Sequence, residues 1–392
     1  MLKYWLWLAT RKNLGLQGIC TVARSFPNAE QAYLASREEY QSIAGLGQID
    51  SLLDKDLSGA ELIVAQCAQA DIQIITMQDA AYPRQLRTMP DAPVVLYYKG
   101  RWPDADRPAV AVVGTRKASV YGMTQAKRFG YGLARCGCAV VSGGALGVDT
   151  EAMVGAVMAG GPVVGVLGCG LDVDYPKANR KLFQEAVRVG CLISEFPPGT
   201  PPYASNFPQR NRIISGLSLG VLVTEAPGRS GALITADRAL EQGRDVFVLP
   251  ANVGVSNFEG NLKLLRDGAI PVGEDWDILQ EYESMYPQTL KKEEVQMPAS
   301  APQANSAELP AQSMLEKKVI DKQEERSYID LKALSAEERT LAELLQNGAM
   351  HIDTLVDRSG MGIGSALSCL TMLEIKKLVR RPSPKMYELA QG

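Results

Sequence analysis

Three glycine-rich segments and a few arginines are the residues of this chain whose types and spacing could do chemistry. Gly114-Thr115-Arg116, Ser142-Gly143-Gly144-Ala145-Leu146-Gly147-Val148-Asp149 and Gly168-Cys169-Gly170-Leu171-Asp172 each follow a short apolar run, and the third continues to Tyr175-Pro176-Lys177. Glycine lets main-chain N–H groups approach an anion closely, and a helix N-terminus adds favourable partial charge. Three such loops in succession point to a phosphate-bearing ligand, although any one alone could equally be a tight strand–helix turn. Further on, Phe207-Pro208-Gln209-Arg210-Asn211-Arg212 places an aromatic ring, two arginines and an amide at a helix start. Arginine forks grip phosphate oxygens and an aromatic face stacks an unpaired base, a combination suited to single-stranded nucleic acid. Asn211 and Arg212 could instead pin neighbouring loops by hydrogen bonds.

Other chemistries find less support. No GxGxxG follows the first strand and no GxxxxGK[ST] occurs, so neither a dinucleotide fingerprint nor a Walker-type NTPase is indicated. Asp149, Glu195 and Glu225 fall near strand ends, but the single histidine, His351, leaves them without an imidazole partner, and no nucleophile motif is present. Such carboxylates more often cap helices or fix loops. The seven cysteines form no CxxC pair and no zinc-like spacing, and read as reduced thiols. No catalytic residue, metal site or cofactor is therefore expected. The apolar stretch Met1–Thr10 is too short to span a bilayer, so no membrane association and a cytoplasmic location are expected.

The elements that must position these loops are legible from periodicity. Valine-rich runs at Val110–Val113, Ala139–Ser142, Val163–Leu167, Cys191–Glu195, Gly220–Thr224 and Asp245–Leu249 alternate with helical stretches near 123–135, 150–159, 179–188, 209–217 and 232–242. That alternation predicts an α/β fold, an extended Rossmann-like doubly wound parallel sheet covered on both faces, with ligands at the carboxyl ends of its strands. Residues 1–78 have helical spacing. There, Ile43-Ala44-Gly45-Leu46-Gly47 is either a helix-hairpin-helix (SAM-like) turn able to meet a phosphate or a plain helix–helix turn. The Rossmann-like domain is drawn over 79–272.

Charge divides the chain further. Over 107–272 there are 17 basic against 12 acidic residues, whereas 273–330 carries 13 acidic and 6 basic. The second segment, with its Pro298-Ala299-Ser300-Ala301-Pro302 run, reads as an acidic flexible linker. Residues 331–392 regain helical spacing at Ala336–Leu345, Ile352–Ser359 and Ile363–Leu373, followed by a candidate hairpin from Val379 to Leu389, which together describe a winged helix. Its recognition helix offers Ser365, Ser368 and Thr371, with a basic cluster of Lys376, Lys377, Arg380 and Arg381 behind it. Nonspecific phosphate contact and protein contact are both open to it.

At its glycine loops the sequence resembles the DNA-processing protein A (DprA, or Smf) family. The resemblance rests on Val112-Val113-Gly114-Thr115-Arg116, on Val141–Asp149, on Tyr175-Pro176 with Asn179, and on Phe207–Ser218. Thr224-Glu225-Ala226, Arg229–Ala236, Gly260-Asn261-Leu262 and Gly268-Ala269 extend it, so that it spans about 110–270 in the family's order. The resemblance implies a binding protein rather than an enzyme. It would take up incoming single-stranded DNA in natural transformation, protect it and load RecA recombinase onto it, acting as a homodimer. Carried over by position, Arg116 would grip a backbone phosphate beside Ser142, Gly143, Gly144 and Ala145. Gly114, Thr115, Lys177, Phe207, Arg210, Asn211 and Arg212 would line the same groove, and Leu262, Leu264 and Leu265 would mark the dimer contact.

The chain departs from the family pattern at three places. Met153 stands where the family often has histidine, Lys177-Ala178 replaces an acidic pair member, and the wing turn Pro382-Ser383-Pro384 lacks glycine. A rival reading is a nucleotide-cleaving phosphoribohydrolase of the related lysine-decarboxylase-like fold, but Pro227–Thr235 lacks the working glutamate of the PGGxGTxxE motif. A small-nucleotide sensor using the same loops is the third reading.

Overall fold

The computed structural model describes residues 1–102, 104, 107–293, 335–345, 350–376, 378–383 and 386–389. The chain divides into two compact units, Met1–Gln303 and Ala304–Gly392. Most of the expected acidic linker, 294–330, lies outside the described residues, as do Lys377 and Pro384 and the side chain of Arg381.

The first unit opens with six helices, α1 (Leu2–Ala9), α2 (Gly15–Ser25), α3 (Ala29–Leu34), α4 (Arg37–Gln41), α5 (Asp50–Leu53) and α6 (Ser58–Gln69). Trp7, Leu6 and Leu8 of α1 are fully buried, and Lys55 Nζ sits 4.9–5.2 Å from the ring centroids of Trp7, Tyr33 and Tyr40. The Gly45–Gly47 turn leads only into the four-residue α5, whose N-cap makes no side-chain hydrogen bond. Gly45 lies at φ 80°, so this is a glycine-requiring turn, with too short a following helix to offer a phosphate a row of N–H groups.

A nine-stranded sheet follows. Its strands are β1 (Gln73–Thr76), β2 (Val95–Gly100), β3 (Ala109–Val113), β4 (Ala139–Ser142), β5 (Val163–Leu167), β6 (Cys191–Ser194), β7 (Gly220–Val223), β8 (Asp245–Val248) and β9 (Ile270–Pro271), in spatial order 1-2-6-5-4-3-7-8-9. From β6 through β9 all neighbours are parallel. β2 runs antiparallel to β6, and β1 antiparallel to β2. The sheet is therefore mixed, and it begins ahead of residue 79: the short edge strand β1 belongs to it although the helical spacing before it runs to 78. Strands β3, β4, β5, β6 and β7 are buried almost throughout, as their unbroken apolar runs require.

The remaining helices of this unit are α7 (Arg84–Arg87), α8 (Val120–Arg135), α9 (Val148–Met158), α10 (Arg180–Val189), α11 (Asn206–Gly216), α12 (Gly231–Glu241), α13 (Glu259–Arg266) and α14 (Asp275–Leu279). Helices α8 and α9 approach closely through glycine. A Cβ on Gly130 would lie 2.1 Å from Ala152 O, and one on Gly155 would lie 2.1 Å from Lys127 O. Residues 273–293, assigned to the linker by their charge, are instead part of the fold. Ile278, Leu279, Tyr282 and Leu290 enter the core while Glu274, Glu281 and Glu283 are exposed, and Tyr282 Oη donates to Asp245 Oδ2 at 2.6 Å. Among the described residues no helix is long and apolar enough to cross a membrane.

The second unit contains α15 (Ala336–Leu345), α16 (Ile352–Ser359), α17 (Ile363–Ile375) and an antiparallel sheet of β10 (Met350–His351), β12 (Met386–Leu389) and β11 (Val379–Ser383), in that spatial order. Leu341, Leu355, Leu370, Leu373 and Tyr387 form its core. Gly360, at φ 67°, ends α16 in the left-handed conformation that sets the turn into α17. This is the three-helix-and-hairpin winged helix.

Candidate nucleic-acid interface

The chain runs from β3 outward to β6 on one side and from β7 to β9 on the other, so the carboxyl ends of β3 and β7 frame the topological switch point. A cleft of about 630 Å³ opens there, bounded by the loops after β3, β4 and β7 and by the start of α11.

Gly114 begins the loop after β3. A Cβ there would lie 2.5 Å from Val148 Cγ2 and 2.8 Å from Glu225 O, so only glycine lets this turn close against α9 and β7. Thr115 N donates to Glu225 O at 2.7 Å. Arg116 and Lys117 then project, exposed, into the cleft. The Arg116 guanidinium carbon stands 5.0 Å from the Phe207 ring centroid, that of Arg210 5.9 Å away, and Tyr175 packs against the same ring at 5.7 Å and 45°. Phe207 is half-buried on the cleft wall, with one ring edge held by Gly168.

The floor is built from the loop after β4. Ser142 is buried, its Oγ donating to Val112 O at 2.8 Å. A Cβ on Gly143 would lie 2.0 Å from Arg210 Nη1 and 2.6 Å from Asp149 Oδ2, so this glycine leaves room for the meeting of Arg210 and Asp149. Gly144 takes φ 64°, and its carbonyl accepts from Asn179 Nδ2 at 2.9 Å. Ala145 N donates to Asp149 Oδ2 at 3.4 Å. Burial raises the Asp149 carboxyl to about 6 against the opposing pull of Arg210. Burial likewise lowers the Arg210 guanidinium to about 10, leaving it charged at neutral pH. Arg210 Nη1 donates to Val166 O at 2.5 Å, while its buried Nε has no partner among the described residues.

The far wall is the loop after β7. Asn211 lines the cleft and donates to Gly231 O at 3.3 Å. Ser230 caps α12 by accepting from Ala232 N at 3.3 Å. Arg229 is exposed beside it.

The family model described as DNA recombination-mediator protein A matches residues 73–283, more than half of the chain. The chain belongs to this family. A second model, the DprA winged helix domain, matches residues 329–383. Among curated relatives, protein Smf of Synechocystis sp. is 38% identical over 274 residues, 68% of this chain and 69% of the relative. DNA processing protein DprA of Streptococcus pneumoniae is 43% identical over 205 residues, 52% of this chain and 72% of the relative. The X-ray structure of DprA from Streptococcus pneumoniae is similar with a TM-score of 0.62 and 34% identity, over 72% of this chain and 98% of that one.

Against this recombination-mediator frame the expected residues separate. Gly114, Thr115, Arg116, Ala145, Phe207, Arg210 and Asn211 line one cleft, with Ser142, Gly143 and Gly144 beneath it as its support. Lys177 is exposed on a 3-10 turn beyond Tyr175 and does not line the cleft. Arg212 is a correction. It is buried away from the cleft, with Nη2 donating to Glu195 Oε1 and Oε2 at 2.5 and 2.6 Å and Nε 3.6 Å from Asp91. Leu264 is 5% exposed in the chain's own core, so of the three leucines only Leu262 and Leu265 retain surface for a partner. Met153, at the family's frequent histidine position, is fully buried and meets Gly165 beneath the sheet. Lys117 escaped the sequence reading, although its adjacency to Arg116 was the available signal.

In the winged helix, Lys376 and Arg380 are engaged by Glu338 at 2.8 Å and by Glu388 at 2.6 Å. The outer face of α17 presents Ile363, Leu367 and Met372, apolar groups that do not read base edges as arginine or asparagine would.

Proposed function

We propose that this chain binds single-stranded DNA without sequence preference in the cleft at the β3–β7 switch point, protects it, and hands it to a RecA-type recombinase in the cytoplasm during transformation. The observation that carries this reading is the Arg116–Phe207–Arg210 arrangement: a half-buried ring with one exposed and one buried guanidinium at 5.0 and 5.9 Å, in an open cleft with glycine loops below. Exposed arginine tracks a phosphate backbone and the ring accepts an unpaired base, which a duplex cannot offer. The names of the family and of its DNA-processing relatives agree with it.

The role is that of a binding protein rather than an enzyme. The loop Pro227–Thr235 lacks a phosphoribohydrolase's working glutamate, and the neighbouring Glu225 is fully buried, does not line the cleft, and accepts hydrogen bonds from Ser119 and Asn257. We further propose a homodimer contact over Leu262 and Leu265, beside the exposed Val253 and Val255.

The test is a gel shift with single-stranded and duplex oligonucleotides over a salt series, beside Arg116→Ala. Tighter binding to single strands is expected. Removing Arg116 should lower the magnitude of the slope of log affinity against log salt by about 0.7 per lost contact. Equal affinity for duplex and single strand refutes the reading.

A further inference from the structure

Glu225 is a fully buried carboxylate with no cationic partner among the described residues. Three dipoles hold it instead. Ser119 N donates to Oε1 and Oε2 at 3.0 and 3.1 Å, Ser119 Oγ donates to Oε2 at 2.6 Å, and Asn257 Nδ2 donates to Oε1 at 2.7 Å. It lies at the N-terminus of α8, where the helix favours negative charge, and so close to Gly122 that a Cβ there would fall 1.9 Å from Oε2. Its main-chain oxygen also accepts from Thr115 N. One residue thus ties down both ends of the span 115–119, between which stand Arg116 and Lys117. The Arg116 guanidinium has no hydrogen bond or ion pair among the described residues, so apart from its contact with the Phe207 ring its direction is set by the backbone that carries it.

We propose that Glu225 is a positioning residue of the cleft. By its main-chain and side-chain hydrogen bonds it aims Arg116 and Lys117 at the nucleic-acid backbone, and through Asn257 it makes that aim depend on the loop over 251–258, which does not line the cleft. The Tyr121–Phe258 ring contact, at 6.0 Å, fastens the same loop to the start of α8. The inference rests on the cleft being the site of single-stranded DNA.

The experiment is fluorescence anisotropy of a labelled thymidine 20-mer with the full chain, over a salt series, with a thermal melt of each variant. Glu225→Ala should weaken binding by at least about tenfold and flatten the salt slope. Glu225→Gln keeps an acceptor for Asn257 and should retain most affinity. Asn257→Ala, in a half-buried side chain outside the cleft, should still fold, melting only a few degrees below the wild type, and weaken binding about three- to tenfold, the worth of one hydrogen bond. That loss should vanish in an Arg116→Ala/Lys117→Ala background. If Glu225→Ala does not fold, Asn257→Ala decides the matter. Asn257→Ala binding like the wild type, or weakening the double variant by the same factor, overturns the inference while leaving the DNA reading intact. A wild-type chain that does not bind the 20-mer overturns the reading of the cleft and this inference with it.

Discussion

Arg210 and Arg212 sit two residues apart on α11, both buried, but only Arg210 lines the cleft. Arg212 has 3% of its side chain exposed, and its Nη2 bridges both oxygens of Glu195, itself 13% exposed. Gln209 Nε2 donates to the same carboxylate at 3.2 Å. Replacing Arg212 with alanine leaves Glu195 buried without its counter-charge, which typically costs about 3–5 kcal/mol. A large domain loses roughly 2–4 °C of melting temperature per kcal/mol, so Arg212→Ala should melt about 6–20 °C below the wild type. Arg212→Met with Glu195→Leu, which removes both charges and keeps bulk, should recover most of that loss. The assay is thermal denaturation beside oligonucleotide anisotropy below the transition. There, Arg212→Ala should bind with an unchanged salt slope, because Arg212 is buried and does not line the cleft. A variant that melts like the wild type but binds with a flatter salt slope would refute this assignment and return Arg212 to the phosphate groove.

Phe207→Ala should lose about 1–3 kcal/mol of binding, the worth of one base stacked on an aromatic ring. An oligonucleotide with abasic sites should not distinguish it from the wild type. Asp149 is held protonated up to about 6 in the folded chain, above its ordinary 3.8. The stabilisation from its neutral form is therefore full below its unfolded value and is lost as pH rises toward 6. As the folded carboxyl ionises around pH 6 the cleft loses positive charge, so DNA affinity should fall from pH 5 to 7 and Asp149→Asn should flatten that profile. Sedimentation of Leu262→Arg and Leu265→Arg should show monomers with wild-type melting, whereas Leu264→Arg should fail to fold because it places a charge in the core.

What the sequence showed of the fold follows from which signals are local. Strands β3 through β8 were legible because strands buried on both faces must be continuous apolar runs. β1 and β2 were not: Gln73–Thr76 is four residues long, adjoins a helix, and becomes a strand only by pairing with Val95–Tyr98. The acidic stretch 273–293 misled because a charge count ignores position, and its few apolar residues are those that reach the core. The site divides the same way. Glycine loops and Arg116 were readable from the chain, since a loop after a parallel strand has one place to go. Arg212 was misplaced although helix geometry contains the warning. Residues i and i+2 lie about 200° apart around an α-helix, so Arg210 and Arg212 could not both face one groove.

That geometry also reinterprets the charge of the central domain. An excess of basic residues suggests a broad phosphate-binding surface, yet much of it is committed elsewhere. Arg212 pairs with Glu195, Arg180 with Asp174, Arg188 with Glu185, Arg238 with Glu241 and Arg135 with Glu293. In the cleft the exposed cations are Arg116, Lys117 and Arg229, with Arg210 behind them against Asp149. Three exposed cations in one cleft are too few to follow both backbones of a duplex. They suffice for a single strand that turns one base toward Phe207 and its phosphates toward the β3 and β7 loops. On the proposed reading, selectivity for single strands arises from the shape of the cleft and one aromatic side chain, and net charge supplies only the attraction that brings any nucleic acid near.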